Sequence, residues 1–308
     1  MNPVDRVVAV WDGAIERGRS RSRGFDHLWQ ARERYSSMFG PRLAAAIAYY
    51  GFFAAFAIGL LGYSVLGFVL GDNRVVLNAV DDYLRRNLPF LNPTAIQSAR
   101  NTVAVIGALG LLFAGIGWID SMRSSQRAIW GLEQHPGNVV VRRLIDLGIL
   151  LGLGVVLGLG LWATNLLQDL LGLVLREVGL PAGAVNVTKD WTGEVLAAAL
   201  NLLMSAALLM LVPRVWVSWY RIVIPMVLVG TGLTFLTTLG RLYIAHTERN
   251  PAYRVAGTAV GLLLFLNLFS QLLLFGAALA ATSTRGRIRD LGAAPHPVAD
   301  NDGDTTLG

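Results

Sequence analysis

Long apolar stretches alternate with short polar connections along the chain. Six runs are long enough to cross a hydrocarbon core of about 30 Å, which takes roughly 20 helical residues. They are Leu43–Leu70, Thr102–Ile119, Leu144–Leu167, Val195–Val212, Ile222–Gly240 and Val255–Ser283. The first and last exceed a perpendicular crossing, so they are expected to tilt or to extend past the bilayer. The pattern predicts an all-α, polytopic membrane protein with a bundle of six transmembrane helices over residues 42–284. A basic N-terminal segment, 1–41, precedes the bundle, and a Pro-, Asp- and Gly-rich tail, 285–308, reads as disordered.

Within the runs, small and polar residues recur at helical spacing. In the first run Ala44, Ala48, Gly51, Ala55, Gly59 and Gly62 share one stripe on which another helix can approach closely. The third carries Gly148/Gly152 and Gly154/Gly158, two GxxxG pairs on different faces, so contact on more than one side is expected. The last adds Gly257 and Gly261, then Gly276 and Ala280. Asn267 and Gln271 lie on the broad face of Gly257 and Gly261, with Ser270 to one side. Asn201 and Ser205 form a second polar stripe on the fourth run, and Thr231, Thr234 and Thr238 a third on the fifth. Such side chains avoid lipid, so all three stripes are expected to face the bundle interior or a wet cavity. Two readings fit them: interhelical hydrogen bonds of roughly 0.6 to 2 kcal/mol each, or a polar path for a substrate.

Composition supports the membrane assignment. Hydrophobic residues make up 54% of the 308 residues and charged residues 15%, and the mean hydropathy is +0.52. These values are too apolar for an ordinary soluble domain. The net charge of +6 is spread over connecting segments rather than gathered in one aromatic-laced stripe, so no nucleic-acid partner is expected. Of the 26 Lys and Arg, 17 fall in the N-terminal segment, the second and fourth connections and the tail, against 9 in the alternate set. The positive-inside rule then places both termini in the cytoplasm. Within the N-terminal segment "ERGRSRSRGFDHLWQARERY" mixes arginine with aromatics. It reads either as an interfacial helix on anionic lipid or as charge that retains the N-terminus inside.

The chemistry available to such a chain is narrow. There is no cysteine, which excludes disulfides, thiolate catalysis and cysteine-ligated metals. No G-x-x-x-x-G-K-[ST] loop cradles a nucleotide, and His27, His135, His246 and His296 lack metal-ligand spacing. "GYSVLG" at Gly62–Gly67 has Leu66 where a nucleophile elbow needs glycine, and Asp81–Asp82 read as solvated neighbours. No charged side chain or histidine lies in the middle of any run, which disfavours a proton-driven pump. Ionisable groups crowd the ends instead, with Asp120, Arg123 and Arg127 after the second run and Arg142, Arg143 and Asp146 opening the third. They are suited to lipid phosphates, to interfacial anchoring or to pairing with local carboxylates. Neither enzymatic activity, a cofactor nor a metal site is expected.

Three stretches resemble the YihY/BrkB family of bacterial inner-membrane proteins, most of all its YhjD branch. "AAAIAYYGFFAAFAIGLLGYSVLGFVLG" (Ala44–Gly71) is similar to the family's opening helix. "WIDSMRSSQRAIWGLE" (Trp118–Glu133) resembles its Arg-bearing, Trp-containing segment after the second helix. "GRLYIAHTERNPAYRVAGTAVGLLLFLNLFSQLLLFGAALAAT" (Gly240–Thr282) looks like its last loop and helix. Ala57 departs from the resemblance, because relatives often carry proline there, and with it goes the local cause of a kink. The resemblance implies an envelope protein that exports or flips a lipid or another amphipathic molecule. Members have also carried a ribonuclease BN label, for which this chain has neither metal ligands nor an acid–base constellation.

The leading expectation is therefore a multi-pass protein of the bacterial cytoplasmic membrane that moves a lipid or lipid-linked substrate without hydrolysing ATP. Asn201, Ser205, Thr231, Thr234, Thr238, Asn267 and Gln271 are its candidate path, and Arg85, Arg86, Arg241 and Arg254 its candidate headgroup contacts on the outer side. Membrane lipids are the expected partners. The rival is a non-transporting scaffold whose glycine faces bind a second copy or another envelope protein; a ribonuclease is a distant third.

Overall fold

The computed structural model describes residues 13, 15–69, 100–178, 181–247, 254–284 and 286–292. Helix α1 spans Arg23–Ser37, capped by Ser22, whose hydroxyl accepts from the Phe25 N–H, with Asp26 in the first turn where it favours the helix dipole. Six long helices follow: α2 (Gly40–Val69), α3 (Arg100–Trp130), α4 (Val139–Glu177), α5 (Ala182–Met210), α6 (Trp219–Thr247) and α7 (Arg254–Thr282). Each is long and apolar enough to cross a membrane. Two short strands, β1 (Val215–Val217) and β2 (Ile288–Asp290), pair antiparallel, with Trp216 opposite Arg289.

All six expected runs are helices, but most are longer than their apolar cores. Helix α3 continues past Ile119 to Trp130, because Ile119, Met122 and Ile129 keep a buried stripe going through the polar segment. Helix α4 has 39 residues, opened by Asn138, whose side chain accepts from the Val140 N–H at 2.8 Å. At about 1.5 Å per residue it is far longer than a membrane core is thick.

Helix α7 is the hub. It packs against α6, α2, α1 and α3, and more lightly against α5. Leu273, Leu274, Ala277, Ala278 and Ala280 on it are fully buried. These three alanines within its last turns keep neighbouring backbones close, which is how helices associate where lipid offers no hydrophobic contrast. Helix α4 is the opposite. Half of the most apolar window of α7 is buried, against 6% in α4.

Both described ends of the chain meet at one end of the bundle, as an even number of crossings requires. Helix α1 docks on α7, with His27 Nε2 hydrogen-bonded to the Leu279 carbonyl at 3.0 Å and Ala31 buried. Arg34 donates to the Ile129 carbonyl at 2.8 Å. Burial pushes the Tyr35 phenol above its ordinary pKa. Arg19, in the helical stretch 15–21 before α1, donates to Asp26 at 2.7 Å, and that bond raises the guanidinium pKa further.

Two sequence expectations are corrected. Part of the tail is structured: within residues 286–292, β2 pairs with β1 and Asp290 is held by Arg127; Arg285 and residues 293–308 lie outside the described residues. The GxxxG pairs of α4 are not packed against neighbours. A Cβ added at Gly148, Gly152, Gly154 or Gly158 would meet nothing within 4 Å. Helix α4 packs mainly on α3 and α5, and among the described residues these glycine faces stay open. Close approach occurs at other glycines, such as Gly51 against Trp118, Gly230 against Leu202 and Gly276 against Val229.

Candidate functional site

Where α3, α4 and the turn after α5 meet, five charged side chains gather: Asp120, Arg123, Arg142, Asp146 and Arg214. Asp120, Arg123 and Arg127 recur every three or four residues on α3, and Arg142 and Asp146 are four apart on α4, so each set projects from one face. Arg123 is fully buried and donates through Nη1 to both oxygens of Asp146, at 2.8 and 2.7 Å, and through Nη2 to Asp120. Asp146, also fully buried, accepts a third bond from Arg214 Nη2 at 2.8 Å. Arg214 further donates to the Arg142 carbonyl at 3.0 Å, and Arg142 to the His135 carbonyl at 3.1 Å. Three guanidinium groups thus surround two carboxylates, and the Nε–H of each arginine is buried without a hydrogen-bond partner.

Arg214 reaches this position from a strained backbone, with φ at +57°. Such a conformation in a residue with a Cβ costs about 1–2 kcal/mol and persists where surroundings over-determine it. Here the Leu291 N–H donates to the Arg214 carbonyl at 2.9 Å, and Asp146 holds its side chain.

Around this centre, further arginines bind backbone. Arg127 forks onto Asp290 at 2.9 and 2.7 Å and reaches the Pro213 carbonyl at 2.9 Å, tying α3 to β2 and to the loop before β1. Arg221 donates to the carbonyls of Ala280 and Ala281 at 2.6 and 2.7 Å. Those groups end α7 without intrahelical partners, and a cation there also matches the helix dipole. Gln126 donates to the Leu208 carbonyl at 3.1 Å.

Between α4 and α5, beside the cluster, lies an open groove of about 590 Å³. Gly148 and Gly152 leave it hollow, Ile149, Leu153 and Met210 are among its apolar walls, and Arg214 and Leu291 line it as well. Trp216, Trp219 and Tyr220 are exposed just beyond Arg214, as aromatic side chains are at a membrane–water interface.

The residues expected to form a path lie elsewhere. Asn201 Nδ2 donates to Thr234 Oγ1 at 3.0 Å, a bond between α5 and α6. The others turn inward on their own helices. Ser205 donates to the Asn201 carbonyl, Thr231 to Val227, Thr234 to Gly230 and Thr238 to Thr234. Gln271 donates to Asn267 Oδ1 at 2.6 Å within α7. Ser205 is fully buried, whereas Thr231 and Thr238 are exposed, so the α6 stripe does not face the interior as a whole. A hydroxyl bonded to its own i−4 carbonyl satisfies itself and needs no partner helix. Of the expected headgroup contacts, Arg241 is exposed near the other end of α6. Arg85, Arg86 and the side chain of Arg254 lie outside the described residues. Arg214 and the groove were missed, because a lone arginine in "LVPRVWV" gains meaning only once α4 lies beside it. Among the described residues, no group of three or more His, Asp or Glu side chains could hold a metal ion.

Six apolar helices, one of them central, and a buried ionic junction at one end define a polytopic membrane protein. Residues 31–300 match the family described as virulence factor BrkB, and the chain belongs to that family. It is 27% identical over 284 residues to an uncharacterized protein of Dickeya dadantii (strain 3937), covering 83% of each chain. It is 24% identical over 284 residues to the inner membrane protein YhjD of Escherichia coli (strain K12), covering 83% of this chain and 80% of that one. No solved structure matches.

Proposed function

We propose that this BrkB-family protein carries a lipid or another amphipathic molecule across the bacterial cytoplasmic membrane, with both termini in the cytoplasm, and is neither an ATPase nor another enzyme. The observation that carries the reading is the α4–α5 groove, about 590 Å³, apolar along its length and bordered by Arg214 at one end. Such a surface matches a molecule with an aliphatic body and a polar head. The groove replaces the hydroxyl and amide stripes as the leading path, since most of those side chains are bonded within their own helices.

The test is reconstitution into liposomes with fluorescent phospholipids, following their transbilayer movement. Wild-type protein should accelerate it. Gly148→Leu with Gly152→Leu, which fills open space, should abolish the acceleration in protein that still folds. No acceleration for any lipid tested would sink the idea.

One observation favours the scaffold reading. Gly154 and Gly158 are exposed on α4 with nothing within 4 Å of an added Cβ, a surface on which a second helix could lie closely. Cross-linking from this face to a stoichiometric partner, with lipid movement absent, would favour it.

A further inference from the structure

The groove between α4 and α5 has a direction. Its α4 wall runs from Ile145 to Val156, a rise of about 16 Å, or roughly half of a hydrocarbon core about 30 Å thick. Arg214 stands beyond the last residue of α5, next to exposed Trp216, Trp219 and Tyr220, so the polar end of the groove lies at interface level. The groove therefore spans the depth of a single leaflet.

Charge at that end is unbalanced. Arg123, Arg142 and Arg214 surround Asp120 and Asp146, and Asp146 alone accepts from two of the arginines. The Nε–H of Arg214 is buried without a hydrogen-bond partner, and that of Arg142, which makes no hydrogen bond either, faces Asp120 at 4.0 Å. Guanidinium groups with donors to spare fit a phosphate, whose oxygens accept several hydrogen bonds in fixed geometry.

We propose that the groove holds an acyl chain of an anionic phospholipid from the leaflet at the termini end, with its phosphate on Arg214 and Arg142. This rests on reading the groove as a lipid site, and adds the charge of the headgroup and the leaflet of origin. The glycines admit the chain, and the arginines select the head.

Native mass spectrometry of the full-length protein, given phosphatidylglycerol or phosphatidylcholine in equal amounts, reads the selectivity directly. Phosphatidylglycerol should be retained preferentially, and Arg214→Gln or Arg142→Gln should each lower that preference about fivefold. Arg214→Lys should keep more of it than Arg214→Gln. Gly152→Leu should lower retention of both lipids, and circular dichroism of each variant controls for folding. Equal retention of the two lipids by wild-type protein overturns the headgroup assignment while leaving a lipid groove standing. Indifference of both lipids to Gly152→Leu overturns the groove itself. Displacement of phosphatidylglycerol by millimolar inorganic phosphate as readily from wild type as from Gly152→Leu also overturns the proposal, since the site then binds a free anion. So does a dimer that Gly152→Leu dissociates, since the groove then holds a second copy.

Discussion

At the end of the bundle that carries both described termini, Asp146 draws guanidinium groups from α3 and from the turn after α5. In the middle stretches of α5, α6 and α7, hydroxyls and amides bond mostly to their own helices. Both regions hide polar atoms from lipid, yet the first joins three segments through charge, whereas the second adds the single Asn201–Thr234 bond between α5 and α6. A threonine donates one hydrogen and finds an acceptor four residues back. A guanidinium has five donors in a rigid fork and a charge that a helix's own carbonyls do not neutralise. Once buried it must reach another segment, and doing so it fixes where that segment sits. Charge here acts as cross-linking, whereas neutral polarity is mostly satisfied locally.

Asp146→Asn should break this contrast most severely. It leaves Arg123 and Arg214 buried without their shared counter-charge, and removing one partner of a buried pair costs about 3–5 kcal/mol. Thermal unfolding in detergent should show a large drop or loss of monodisperse protein; an unchanged melting temperature would mean the cluster is not structural. Arg127→Ala comes next, since it removes the bonds to Asp290 and to the Pro213 carbonyl together. Limited trypsinolysis should then cut after Arg287 and Arg289 much faster than in wild type, because β2 has lost its tether. If cutting is equally slow, the strand pair holds by itself.

The neutral region should respond less. Asn201→Leu removes the bond from α5 to α6 and should cost about 0.6–1.7 kcal/mol in unfolding free energy. Asn267→Leu with Gln271→Leu removes an i,i+4 pair on one helix, for which about 0.2–0.5 kcal/mol is expected. Liposome assays of that double variant sharpen the comparison: near-normal lipid movement fits the groove as the path, while its loss in stable protein returns the path to α7. Thr231→Val, exposed and self-satisfied, should change stability by under about 0.5 kcal/mol.

The helices were legible because lipid imposes its demand residue by residue. Twenty or so apolar residues must be helical to satisfy their backbone, and all six runs obey. Their ends were less legible. No continuous apolar run marks "DSMRSSQRAIW" as helix, and α3 continues through it because Ile119, Met122 and Ile129 find partners at the right phase. The α4 glycines misled for a related reason. GxxxG reports that a helix could be approached closely, not that any neighbour comes, and Gly148 and Gly152 instead leave a hollow. The charged residues at the helix ends were visible as a group, with pairing to local carboxylates among their readings, but which arginine meets which carboxylate was not.

By itself the sequence determined the membrane, the number of crossings, the family resemblance and the crowding of charge at helix ends. Each follows from local composition or spacing, which the bilayer reads one segment at a time. Tertiary structure alone decided that α7 is the hub, that β2 pins the tail, that Asp146 serves two arginines 91 residues apart in the chain, and that a leaflet-deep groove ends on Arg214. Those features depend on the relative placement of helices, set by side-chain packing and by ion pairs between distant segments, and no periodicity along the chain encodes them.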